Sequence, residues 1–189
     1  MDLDLNLGRI EEAARTVDPV FLNTPQYADA QLSTALGRDV VVRSRRRTRC
    51  GVSRGAARTS SWRTLIRAPK TRIIGVCASG APSMALSWRT GKPVSTERSD
   101  TIAEGIEVRV PVPESVVRLV ALVDDMVLVD DTDLLEAMQL SMQTLGLLLE
   151  PSGAAGLAAI RVHKLAGDRL ATVLTGSNLR PEHLRLLSD

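Results

Sequence analysis

The chain has 189 residues, 44% of them hydrophobic but only 2% aromatic, so a single domain with room for a small second lobe must pack on Leu, Val, Ile and Ala. Its net charge of +2 is a balance of 24 basic and 22 acidic residues, which excludes a uniformly basic nucleic-acid binder. No apolar run reaches bilayer length, and the start Met1-Asp-Leu-Asp-Leu-Asn lacks the basic flank and apolar core of a signal peptide. Cys50 and Cys77 form no metal-ligand spacing and His163 and His183 are the only histidines. The expectation is a reducing, cytoplasmic setting with no zinc.

In chain order, Gly8 to Thr16 reads as a short helix with Ile10, Ala13 and Ala14 on one stripe, broken by Asp18-Pro19. Pro19 to Pro25 is extended, because a residue before proline is pushed out of the helical region. Tyr27 to Leu36 is predicted as a second helix closed by Gly37, and Asp39 to Val42 as the start of a buried strand. After Val42 the pattern fails. Between Asp39 and Glu97 there is no acidic residue, and 11 basic ones fall between Arg43 and Arg72. The remaining chain carries 13 basic and 22 acidic residues, a net of −9, so the positive charge is local.

Periodicity resumes downstream. Ile73 to Val76 reads as a strand, Ala81 to Gly91 as a helix and turn, and Met126 to Val129 as another strand. Asp133 followed by Glu136 predicts the capped start of a long helix running to Leu149, with Leu134, Ala137, Met138, Leu145 and Leu148 on its buried side. Glu150-Pro-Ser-Gly-Ala-Ala-Gly156 then opens a second helix to Leu165. After the Gly167-Asp168 turn, Leu170 to Leu174 is an apolar strand ending in Thr175-Gly-Ser-Asn178. A carboxylate at a helix start beside small residues, and a polar loop after a buried strand, are where α/β sheets place ligands.

Those two motifs, in that order, resemble the threonine and serine dehydratases, a branch of the fold-type II pyridoxal phosphate enzymes. Glu150-Pro-Ser-Gly-Ala-Ala is similar to the family's Glu-Pro-Ala-Gly-Ala, and Val173-Leu-Thr-Gly-Ser-Asn178 to its Leu-Ser-Gly-Gly-Asn loop. Asp100-Thr-Ile-Ala-Glu-Gly105 resembles its Thr-Ile-Ala-Asp-Gly, and the opening to Val42 resembles its first helix, Thr-Pro turn, helix and strand. The resemblance implies an α/β fold, here an incomplete fold-type II open sheet with flanking helices. It divides the chain into an N-terminal family segment (1–42), a basic junction expected to lack regular structure (43–69) and the C-terminal part of a catalytic core (70–189).

In the family the strand at Val42 leads into the lysine that bonds covalently to the cofactor. Here Arg43 to Trp62 has neither strand nor helix periodicity. Permissible codons for that segment, read from the third base onward, encode Val-Glu-Thr-Pro-Asn-Pro-Val-Arg-Cys-Phe-Lys-Gly-Arg-Gly-Ala-Asp-Leu-Leu-Val, which matches the lysine motif. The junction is therefore read as frameshifted, its lost lysine codon straddling Ser53 and Arg54. Relative to a family core, on the order of 150 residues are absent beyond it, including the substrate-facing segment and the Gly-rich phosphate loop. Lys70, Lys92 and Lys164 lie in the wrong motifs to replace the lost residue.

By the resemblance, Thr175 takes the position of a serine that hydrogen-bonds the pyridine nitrogen. Gly176, Ser177 and Asn178 complete that loop, and Glu150 is either a carboxylate near the cofactor or a helix cap. Cys77-Ala78 and Ser83 stand where some members have acidic ligands to a divalent cation, so no metal is expected. His163, beside Lys164, reads as part of a solvated face. The expected function is a dehydratase remnant without activity, its ancestral partner a small amino-acid substrate, in a homo-oligomer or paired with an intact paralogue.

The alternative is a non-enzymatic nucleic-acid binder using the Arg43–Arg63 stretch, disfavoured because aromatic residues and a helical face are missing. The chain should therefore give no salt-dependent mobility shift with RNA or DNA. A shift abolished by alanine at Arg45, Arg46 and Arg47 would restore the binder.

Overall fold

The computed structural model describes residues 15–16, 26–44, 72–176 and 179–187. The expected extended segment Pro19–Pro25, most of the first predicted helix, the junction from Arg45 that the sequence reading takes as frameshifted, with Ser53 and Arg54, Lys70, and the loop residues Ser177 and Asn178 lie outside the described residues. The elements are β1 (Gln26–Ala28), α1 (Ala30–Leu36), β2 (Asp39–Ser44), β3 (Ile74–Ala78), α2 (Ser83–Thr90) and α3 (Pro113–Leu122). They continue as β4 (Asp125–Val129), α4 (Asp131–Leu145), α5 (Pro151–Val162), β5 (Arg169–Leu174) and α6 (Pro181–Leu186).

Among the described residues two small sheets carry the fold, one ordered β1-β2-β5 and the other β3-β4. β2 pairs antiparallel with β1 and parallel with β5, Asp39 opposite Arg169 and Val42 opposite Thr172. β2 is thus the central strand of its sheet. Its register is pinned at one end by the Arg169–Asp39 ion pair at 2.6 Å and by the Arg38 guanidinium, which donates to the Leu165 carbonyl. Both groups are at the surface, so they set register more than they stabilise. β3 pairs with β4 in parallel, Ile74 opposite Asp125 and Ala78 opposite Val129.

Tyr27 and Ala28 are strand residues rather than the start of a helix, because Asp29 caps α1 from outside. Its side chain accepts from Leu32 N at 2.9 Å, so helical geometry begins only at Ala30. α4 likewise starts three residues before the expected position. Asp130 is its N-cap and accepts from Asp133 N at 2.8 Å, while Asp133 reaches back to Asp130 N at 3.0 Å. Asp133 is the last residue of the box, at N3, not its first. Asp130→Ala should lower stability by about 1 kcal/mol in chemical denaturation.

Gly146 ends α4 in the left-handed region (φ 60), so the chain leaves the helix before Leu147. Leu148 is consequently half-buried on a connecting segment, and Leu149 is the residue that enters the core. α5 stops at Val162 rather than Leu165.

One core joins the two sheets. Val40, Val42, Leu170 and Leu174 from the first meet Ala78 and Val129 from the second around Leu134, Met138, Leu149 and Leu157. α5 makes this possible: it is buried along Gly153, Ala154, Ala155, Leu157, Ala158, Ala159 and Ile160 and packs on β5, β3 and β4. Small residues let a helix approach backbone on several sides at once. Leu134 is fully buried at the start of α4, and Leu134→Ala should cost about 3 kcal/mol, read as a fall in the urea midpoint. Cys77 lies in a satellite cluster with Ala85 and Met126, and burial pushes its thiol up, so it stays a protonated core residue.

Candidate functional site

The C-terminal end of β5 and the N-terminal end of α5 meet at Thr175 and Gly176. Their closeness follows from glycine. A Cβ built on Gly153 would lie 1.8 Å from the Thr175 carbonyl oxygen and 3.1 Å from Thr175 Oγ1, and one on Gly156 would lie 2.1 Å from Thr172 Oγ1. Two glycines three residues apart therefore present a bare helix face to Thr172 on β5 and to Thr175 just past its end. Thr175 is half-buried against that face.

Glu150 occupies the N-cap position of α5 with extended backbone (φ −74, ψ 155), yet its side chain makes no capping hydrogen bond. The capping role weighed for it is not what the structure shows. The carboxylate instead lies on Gly176, which adopts φ 75: a Cβ there would be 2.0 Å from Glu150 Cδ and 2.3 Å from Oε1. It sits at the positive end of a 12-residue helix, a favourable place for an anion. Glu150, Thr175 and Gly176 thus come together at this junction. Ser177 and Asn178, the other two residues assigned to the loop, are outside the described residues.

A third wall was missed by sequence reasoning. Gly105 N donates to Ser152 Oγ at 2.8 Å, so the loop before α3 is fastened to the first turn of α5. The same loop is held at Asp131, whose carboxylate accepts from Thr101 Oγ1 at 2.6 Å and Ile102 N at 3.1 Å. Arg180 closes on Glu104 at 2.5 Å from the segment before α6. The Asp100–Gly105 motif was visible, but its anchors lie 30 and 47 residues away, where periodicity carries no signal. A cleft of about 270 Å³ opens between this loop, Asp131 and His183, and its lining includes neither Glu150 nor Thr175.

The remaining candidates are structural. His163 is not on a solvated face: its Nε2–H donates to the Leu128 carbonyl at 2.7 Å, tying the end of α5 to β4. The Ser83 hydroxyl is buried and donates to the Val108 carbonyl. Among the described residues no group of three His, Cys, Asp or Glu side chains could hold a metal ion, and no helix is long and apolar enough to cross a membrane.

Pyridoxal phosphate can be tested against these residues. Thr175 brings a hydroxyl to the junction, with Glu150 and Gly176 beside it. The covalent side is different. Lys164 follows the far end of α5, about 18 Å from Glu150 along a 12-residue helix, and Lys92 is exposed in the turn after α2. Lys164 is thus at the wrong end of α5 for Thr175 and Lys92 stands on the surface, so the described residues do not fit the covalently held group.

Comparison with known proteins places the fold. The family described as pyridoxal-phosphate dependent enzyme matches residues 34–176. The biosynthetic L-threonine dehydratase of Pasteurella multocida is 30% identical over 125 residues, covering 64% of this chain and 24% of that protein. An L-threonine ammonia-lyase of Geobacter sulfurreducens is 37% identical over 114 residues, covering 59% of this chain and 28% of that one. The threonine deaminase isoform 2 structure from Solanum lycopersicum superposes with a TM-score of 0.58 at 30% identity, covering 64% of this chain and 36% of that one. The chain thus spans about a quarter of the length of the curated relatives it matches. From the motif order, the Glu150–Thr175 junction and these likenesses together, the chain belongs to the pyridoxal-phosphate-dependent enzyme family, in its fold-type II threonine/serine dehydratase branch.

Proposed function

We propose that this chain descends from a threonine/serine dehydratase, which eliminates water from a hydroxy amino acid and releases a 2-oxo acid and ammonia, and that it has lost that activity. The observation that carries the reading is the position of its two described lysines. Cofactor chemistry of this class needs an amine that bonds to pyridoxal phosphate and a second basic group at the substrate α-carbon, roles one lysine commonly combines. Lys92 and Lys164 stand away from the Thr175 hydroxyl that would face the pyridine nitrogen, and the sequence assigns the missing amine to the reframed Ser53–Arg54 position.

What the chain's own residues still do is positional. Gly153 and Gly156 set α5 on β5, Ser152 holds Gly105, and Thr175 presents a hydroxyl at the junction. Regulatory pairing with an intact paralogue remains the alternative use of such a core. Purified chain supplied with pyridoxal phosphate and either threonine or serine should release no 2-oxo acid above the protein-free rate. Saturable release abolished by Thr175→Ala would sink the reading.

A further inference from the structure

We propose that the Glu150 carboxylate is a built-in plug, which fills the ring side of the junction and keeps a planar heteroaromatic ring away from Thr175. The inference rests on the reading above and deepens it: besides lacking its amine, the site is closed by its own side chain. Two observations support this directly. Glu150 does not cap α5, although it stands at the N-cap position, so nothing turns its side chain back onto the helix. Its Cγ, Cδ and Oε1 all lie within 2.3 Å of where a Gly176 Cβ would stand. A Cβ is about 1.5 Å from its Cα, so the carboxylate end rests at van der Waals distance on the glycine itself. A stacked ring needs that same surface, at roughly 3.5–4.0 Å from carbon to carbon.

The other side of Thr175 is filled as well, since Gly153 meets its carbonyl and lies close to its hydroxyl. The third wall is drawn in by the Ser152–Gly105 bond at 2.8 Å. Charge acts in the same direction. A carboxylate at the start of α5 occupies the end of the helix dipole that would otherwise favour an anionic ligand, and repels a phosphorylated one.

Equilibrium dialysis against pyridoxal phosphate tests the plug without any covalent step. The wild-type chain should show no saturable retention. Glu150→Ala and the shorter Glu150→Asp, each checked for native circular dichroism, should retain the compound at least about tenfold more tightly. Glu150→Gln keeps the size but removes the charge, and should fall between wild type and Glu150→Ala. Two folded variants guard against loss of the fold in one of them. If neither binds better than wild type, or if wild type binds saturably and Glu150→Ala weakens it, the carboxylate is not a plug. A borohydride-fixed adduct on wild-type lysine would instead overturn the proposed function, so the two failures are distinguishable.

Discussion

Val42→Asp should abolish cooperative unfolding of the whole described core. Val42 is fully buried on the central strand of the β1-β2-β5 sheet, opposite Thr172 of β5 and within the cluster that holds Leu134, Leu157 and Leu174. A carboxylate placed there has no described cation beside it and must either stay charged in an apolar site or take up a proton. Such burial costs upward of about 4 kcal/mol, most of what a domain of this size has to lose. The sharper content concerns connectivity. β2 comes from the N-terminal block, yet α5 and β5 pack on it from the C-terminal one. Loss of the circular dichroism transition for the entire chain is the expected result. A residual transition of wild-type size would mean that 72–187 folds without β2.

Gly153→Ala should be the next most damaging change, about 3 kcal/mol or more by urea titration. The added methyl would lie 1.8 Å from the Thr175 carbonyl oxygen, a backbone atom in line with β5, so relief requires moving α5 or the strand. Gly37→Ala is the matched comparison. Gly37 caps α1 at φ 63 with open space around it, so only the backbone preference is lost, about 1–2 kcal/mol. If the two variants lose the same stability, helix α5 is not seated on Thr175 as described.

The elements whose signal is local were legible in the sequence. The strand at Leu170–Leu174, the α/β class, the glycine after Leu36 and the helix opened by Glu150-Pro all follow from alternation, proline and glycine placement. Boundaries failed where two residues could do one job. Asp130 and Asp133 are both good caps, and only the reciprocal bonds show which begins α4. Gly146 breaks a run of leucines whose apolar character continues past the helix, so Leu148 and Leu149 were assigned to it.

The site was partly legible through resemblance, which named Glu150, Thr175 and Gly176. It could not show where the Glu150 side chain goes, because a cap and a contact with Gly176 leave the same motif. The central position of β2 was hidden for another reason. Its partner β5 lies 130 residues on at the Asp39–Arg169 pair, and no local pattern encodes such a pairing. His163 misled because a histidine beside a lysine reads as surface, whereas its ring reaches a carbonyl of β4.

The account turns on the proposal that no lysine amine serves the β5–α5 junction, where none of the described residues places one. The direct measurement is intact-protein and peptide mass spectrometry after incubation with pyridoxal phosphate and reduction by borohydride. The predicted spectrum is that of the unmodified chain, with only scattered, substoichiometric reaction at exposed lysines. One stoichiometric pyridoxyl group on a single lysine, lost on Thr175→Ala, would contradict it.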